Sequence, residues 1–589
     1  MNGPARKRFW SIAPDSPVAQ DMRAGRPPWL PFVHLVWTAW VFLTPMFAGG
    51  GYGYTKRWAL LTLLSYPLFV ALYVVVVTSS ERRARQAAWG MVALCLALLP
   101  WYPSGLSYFV FGSILLRPCR GGSVAGYLAL LLFVAAPLRR SGAFTLPDFC
   151  ELRLGSRRLR KLATVFVVFI GWLYLVPQLQ GAGLTVATVA GGPYELGALL
   201  VGAVVTGNVA LGGMRAVTFV QAFQYWLKLT ALAVPAIFLV LQWQSDGRPA
   251  VTPEAGTVFP AATTVVVEHA ATLTLPDGTT REVRPGDELS FAEGDPVPKI
   301  SSVDAVDGAD WLLPGTAGDD DRELFATYSL ILATFLGTMG LPHVLVRFYT
   351  NPDGAAARRT TLVVLAMVGT FYLLPTLYGV LGRIYTPQLL LTGRSDAVVV
   401  LLPSAALGNG LTGQLLAALV AAGAFAAFLS TSSGLLTSVA GVLSTDLLGR
   451  GSVRDFRLAT IVAGLVPMLL ALYVSGLDVS QVVGLAFAVA ASSFCPLLVL
   501  GIWWRGLTDV GTAAGILVGG GAAIGAVLLT VVGPELTGWP AVLLAQPAAW
   551  TVPLAFTVMI TVSWATRRRT PADVAATMLR LHAPEALRL

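Results

Sequence analysis

Residues 427–436 read AFLSTSSGLL, with four consecutive hydroxyls, Ser430 to Ser433, inside an apolar run that begins near Leu411. A single hydroxyl in such a run can bond to the carbonyl four residues back in its own helix. Adjacent hydroxyls ask for more. Ala427 lies three residues before Ser430 and four before Thr431, so in a helix the Ala427 carbonyl and the two side-chain oxygens share one face. Neutral oxygens of this kind suit a hard monovalent cation such as sodium, whose remaining ligands would be carbonyls of an unwound neighbouring helix. Close helix packing through small residues is the competing account.

Two further stretches carry polar chemistry at membrane depth. GTMGLPHVLVRF puts Gly337, Thr338, Gly340 and Pro342 in one apolar segment, which either breaks the helix and bares backbone groups able to hold a solute, or kinks it against its neighbours. YLVPQLQGAG sets Tyr174, Gln178 and Gln180 around Pro177, for a solute or for an adjacent helix. Material for an enzyme is thin. The four histidines, His34, His269, His343 and His582, are far apart in sequence, and most carboxylates fall in polar segments. A lone histidine such as His343 reads as a packing residue.

The elements that must position these groups follow from composition. Of 589 residues, 55% are hydrophobic and only 12% charged, with a mean hydropathy of +0.70. That is a polytopic membrane protein surrounded by lipid. Cys95, Cys119, Cys150 and Cys495 form no CxxC pair and read as small packing residues. The net charge of +9 reports orientation and not nucleic-acid binding, because the basic residues flank apolar runs as the positive-inside rule places them. From Gly126 onward, basic clusters at every second boundary define spans near 124–138, 162–189, 195–211, 216–243, 324–349, 360–383, 412–446, 457–475, 479–503, 510–532 and 547–566. Residues 244–322 read as an acidic outer loop in which Pro276, Asp277 and Gly278 separate two β-prone runs, a small hairpin. Residues 567–589 form a cytoplasmic tail.

Residues 1–120 are atypical. Spans near 30–48, 57–78 and 87–101 precede a short apolar piece, Leu106 to Leu116, too short to cross straight. A re-entrant or interfacial position for it keeps Arg139 and Arg140 cytoplasmic but leaves Arg117 and Arg120 outside.

Taken together, FVAAPLRRSGAFTLPDFCELRLGSRRLR, YLVPQLQGAG, GGMRAVTFVQ, LGTMGLPHVLVRFYTNPDGAAARR, AAGAFAAFLSTSSGLL and LAFAVAASSFCPLLVLGIWWR resemble, in order, segments of the sodium:solute symporter family, within it the cation/acetate (monocarboxylate) permeases, over about residues 124–566. The resemblance implies an all-α polytopic membrane protein with an inverted-repeat core of five plus five helices and additional helices. It implies alternating access driven by a cation gradient, sodium or protons, in the cytoplasmic membrane of a bacterium. It carries a sodium site over to the Ala427 carbonyl and the Ser430 and Thr431 hydroxyls, and a small monocarboxylate such as acetate or pyruvate to the Gly337–Pro342 and Tyr174–Gln180 stretches. Sodium-sugar relatives place an aspartate where this chain has Gln221. The family's first core helix, with a pattern like Gly-Asp-Tyr-x-Ser-Ala-Ala-Ser-Phe, has no counterpart in residues 1–116, which resemble instead the membrane portion of a sensor histidine kinase. Two readings therefore stand: a sodium-coupled monocarboxylate symporter, or a transport-inactive fusion, truncated remnant or solute sensor.

Overall fold

The computed structural model describes residues 125–583, except 248, 250–257, 268–270, 276–278, 285, 301–320, 393–394, 409, 449–451, 475–478 and 534–535. The expectations for residues 1–120, including the re-entrant piece and the kinase-like region, lie outside the described residues. A helix present from Ala125 passes through a π-turn at Leu130–Val134 into α1, Ala135–Arg140. Helix α2, Leu146–Leu154, starts where Thr145 caps it by accepting from the Asp148 amide (3.2 Å), and stops at Gly155 in the left-handed region (φ 67°). Helix α3, Arg157–Ala190, follows, capped by Ser156 and carrying Pro177 inside.

The next two expected spans share one continuous helical backbone, Tyr194–Ser245, 52 residues long. That is more than twice what one crossing needs. Two stretches of it, α4 (Tyr194–Leu211) and α5 (Val220–Ser245), are separately apolar enough to cross. The segment between α5 and the next helix carries β1 (Thr263–Val266), β2 (Ala271–Thr274), β3 (Thr280–Val283), β4 (Glu288–Phe291) and β5 (Lys299–Ile300). Strands β2 and β3 pair antiparallel, as the two β-prone runs require, and β1 with β4 makes a second small sheet.

Helix α6, Asp321–Gly340, is followed after one residue by α7, Pro342–Tyr349. Then come α8 (Gly354–Tyr385), α9 (Gln388–Thr392), α10 (Val398–Leu407), α11 (Leu411–Val442), α12 (Val453–Tyr473) and α13 (Val479–Trp503). A π-turn at Ile516–Gly520 joins α14 (Asp509–Gly515) to α15 (Gly521–Val532), and α16 (Trp539–Ala545), α17 (Ala548–Ala565) and α18 (Val574–His582) follow. Among the described residues, nine helical stretches are long and apolar enough to cross a bilayer.

Helix α13 lies at the centre, with an unbroken buried run from Gly484 to Leu498. A helix apolar on every side belongs there. Helix α12 is peripheral, and its exposed Leu458, Ile461, Leu465 and Leu469 make a stripe suited to acyl chains. Cys150 and Cys495 are buried and unpaired, as packing residues.

Candidate functional site

Helix polarity follows from close contacts. A Cβ on Gly171 would meet Val439, and one on Gly181 would meet Phe428, so α3 and α11 run antiparallel. Gly202 meets Met468 and Gly464 meets Thr206, so α4 and α12 are antiparallel too. Gln221 bonds Ser430 while Gly423 abuts Lys228 and Ala231, making α5 antiparallel to α11.

Helix α11 is regular through Ala427, Ser430 and Thr431, and all three are half-buried. Of the neighbouring hydroxyls, Ser433 Oγ donates to the Leu429 carbonyl at 2.7 Å and Thr437 Oγ1 to the Ser433 carbonyl at 2.6 Å, whereas those of Ser432 and Ser438 are buried without a partner among the described residues. The hydroxyls of Ser430 and Thr431 take no protein partner among the described residues. A carbonyl such as that of Ala427 retains a second lone pair beyond its helical bond. The pairing of α3 with α11 sets Gln178, half-buried, level with Thr431.

Helix α5 presents Gln221, Gln224, Lys228 and Ala231 along the stripe that meets α11. Gln221 Nε2 donates to the Ser430 carbonyl at 2.7 Å, and its Oε1 accepts from Arg347 Nη2. Gly434 makes room for both groups: a Cβ there would lie 3.2 Å from the amide nitrogen and 3.8 Å from the guanidinium. Arg347, in the last turn of α7, is turned to Gln221, whose amide lies within its reach. One turn along α5, Gln224 is buried with its Oε1 unpartnered among the described residues.

The segment between Gly337 and Pro342 is broken. Helix α6 ends at Gly340, Leu341 is extended (φ −72°, ψ 115°), and Pro342 opens α7 with the φ a first turn needs and no amide hydrogen to leave unpaired. A Cβ on Gly337 would stand 2.5 Å from the Phe487 carbonyl, and one on Gly340 2.4 Å from the Ala490 carbonyl. These glycines let α6 lie directly on α13. Thr338 Oγ1 donates to the Thr334 carbonyl at 2.6 Å, and its Cβ fills the space above Gly126. Beside the break, the Tyr174 ring lies 5.3 Å from that of His343 and 5.6 Å from that of Phe487. Gln180 faces elsewhere, donating to the Val474 carbonyl at the end of α12 (2.7 Å). Tyr174, the break and the α11 hydroxyls form one connected region, since Arg347, four residues past His343, joins α7 to Ser430 through Gln221.

A second polar cluster sits at the other end of α11. Arg160 Nε and Nη2 donate to Asp446 Oδ1 (2.9 and 2.6 Å), and Nη1 donates to Glu151 Oε2 (2.9 Å). Nη2 also lies 2.7 Å from Asp148 Oδ1, and Thr164 Oγ1 donates to Asp446 Oδ2 at 2.7 Å. Sequence reasoning missed this cluster; its one signal was a carboxylate, Asp446, ending a long apolar run. Nearby, the buried Arg153 donates to the Gly501 and Trp504 carbonyls (2.8 and 3.1 Å) at the end of α13. Burial lowers its pKa to about 10, against the opposing pull of Asp573.

The sequence profile of the sodium:solute symporter family matches residues 104–519. The chain belongs to the sodium:solute symporter family. It is 27% identical over 523 residues to an uncharacterized symporter, YwcA, of Bacillus subtilis (strain 168), covering 84% of this chain and 91% of that protein. It is 28% identical over 495 residues to a monocarboxylic acid transporter of Corynebacterium glutamicum, covering 78% and 82%. A solved Na+-coupled sialic acid symporter in a substrate-bound outward-open state is 14% identical, with a TM-score of 0.46 over 75% of this chain and 82% of that one. The protein is thus a multi-pass membrane transporter and not an enzyme, with a role in solute–sodium symport. The family match begins 20 residues before the stretch on which the resemblance was first carried, within residues outside the described region. For this symporter, the polar groups at membrane depth are the natural candidates for holding ion and solute.

Proposed function

We propose that this symporter carries a small monocarboxylate of the acetate or pyruvate class into a bacterial cell across the cytoplasmic membrane, coupled to sodium. The observation that carries the ion assignment is the pair of hydroxyls on Ser430 and Thr431, half-buried, without a protein partner among the described residues and on the same helix face as the Ala427 carbonyl. Neutral oxygens without internal partners at membrane depth are what a desolvated monovalent cation needs. The substrate assignment draws on the broken helix at Leu341 with Tyr174 beside it, and on the named activity of the Corynebacterium relative. In this reading the solute occupies the region of Pro342, Tyr174 and Gln178, flanked by Gly337, Thr338 and Gly340 on the α6 side.

Coupling requires that ion and solute together bind one conformation better than the other. The chain Ser430 carbonyl, Gln221, Arg347 offers a physical link, because displacement of α11 at Ser430 is felt by α7 and so by the break. Uptake of labelled acetate and pyruvate into proteoliposomes, driven by an inward sodium gradient or by a proton gradient alone, tests the proposal. Sodium-stimulated uptake is expected. Uptake driven equally by protons without sodium overturns the choice of ion, and no stimulated uptake by folded protein overturns the monocarboxylate reading.

A further inference from the structure

Three polar or flexible positions at the break already have structural employment. Gly337 and Gly340 are closed off by carbonyls of α13, and the Thr338 hydroxyl is bonded within its own helix. His343 is different. It is the second residue of α7, and its Nδ1 is shielded from solvent yet has no hydrogen-bond partner among the described residues. Native interiors rarely leave such an atom unpaired, because burying a polar nitrogen without a partner opposes folding. An imidazole serving packing alone would be expected to find a carbonyl or hydroxyl, and Thr338, the nearest hydroxyl residue along the chain, is turned to Thr334.

The surroundings indicate the missing partner's chemistry. The His343 ring meets Tyr174 at 5.3 Å, and Tyr174 meets Phe487 at 5.6 Å, so rings from α7, α3 and α13 gather where the helix is broken. Such a cluster offers apolar ring faces beside an imidazole nitrogen without a partner among the described residues, a combination suited to a small molecule with one polar end and a short alkyl remainder. The positive charge of Arg347 stands one turn further along α7 and favours an anion over a cation as that polar end.

We propose that His343 recognises the carboxylate of the substrate, donating from Nδ1 to one carboxylate oxygen, with Tyr174 and Phe487 enclosing the carbon chain. The assignment rests on the monocarboxylate reading above. It requires the Nδ1-protonated form, which no internal acceptor fixes in advance.

The test uses the full chain in proteoliposomes with labelled acetate as probe. His343→Leu removes the donor at similar volume, and His343→Asn restores an amide donor close to the Nδ1 position. The KM for acetate is expected to rise about tenfold or more in H343L and to recover most of that loss in H343N. The sodium-dependent thermal shift measured without acetate should stay unchanged in both. An H343L protein whose KM stays within threefold of wild type overturns the assignment, as does equal impairment of the two variants. If H343L does not fold, 15N-labelled imidazole spectra of the wild type decide: one Nδ1 resonance moves on adding acetate, or none does and the assignment falls. Wild-type protein that takes up no monocarboxylate removes the parent reading, whereas acetate uptake that is indifferent to His343 removes only this one.

Discussion

Ser433 and Thr431 sit two residues apart on α11, and the difference between them is a hydrogen bond. The Ser433 hydroxyl is tied to the Leu429 carbonyl at 2.7 Å; that of Thr431 is tied to no protein group among the described residues. If Ser430 and Thr431 hold sodium, Thr431→Val, which keeps shape and removes the oxygen, raises the sodium concentration for half-maximal uptake about tenfold, equivalent to about 1.4 kcal/mol. Ser430→Ala acts in the same direction, and Ser433→Ala leaves the value within about twofold, since it breaks a bond of ordinary strength inside one helix. Sodium-dependent uptake at fixed acetate measures all three, and equal effects at Ser433 and Thr431 would remove the ion site from this face. The spacing of Ala427, Ser430 and Thr431 was legible in the sequence because it is local to one helix. The Arg347 contact was not, because Gln221 lies 126 residues away and only packing of α5 against α11 brings the two together.

At the scale of elements, apolar runs and basic boundaries located most crossings, and Pro342 among the glycines marked the break between α6 and α7, because each rests on residues adjacent in the chain. What joins the elements was not legible. Arg160 at the start of α3 serves Asp446 beyond α11 and two carboxylates of α2, reaching across 286 residues in one case. The Asp446 side chain is only 2% exposed and the guanidinium is 29% exposed, so this is a largely buried ion pair fixing α2, α3 and α11 at one end. Removing one partner of a buried pair costs about 3–5 kcal/mol because the other charge is left unmatched. Arg160→Gln should therefore lower thermal stability in detergent clearly, and Arg160→Gln combined with Asp446→Asn should lose less than the single change. A double-mutant cycle on the melting transition reads the coupling; additive losses would mean that the pair does not act as a unit.

For the molecule as a whole, the C-terminal helix α18 clasps the same end of the bundle. Its buried Met578 and Leu581 face inward, the His582 ring packs 4.8 Å from Trp503 at the end of α13, and Arg140 Nη1 donates to the His582 carbonyl at 3.2 Å. One short helix thus ties α1 to α13, two elements whose relative movement any alternation between open sides would involve. Burial lowers the His582 pKa below its ordinary value, with Arg140 and Arg505 pushing the same way and the Met578 carbonyl, 2.9 Å from Nδ1, opposing. The docked helix therefore binds fewer protons than the undocked one. Its attachment is at full strength above the ordinary imidazole value of 6.5 and weakens as pH falls below it. Hydrogen-exchange protection factors over residues 574–582, taken relative to the intrinsic rate at each pH, should accordingly fall between neutral and mildly acidic pH while the transmembrane helices stay protected, and His582→Gln should flatten that dependence. If exchange in α18 follows the same pH profile with and without His582, the titration does not control the clasp, and packing of Met578 and Leu581 alone holds it in place.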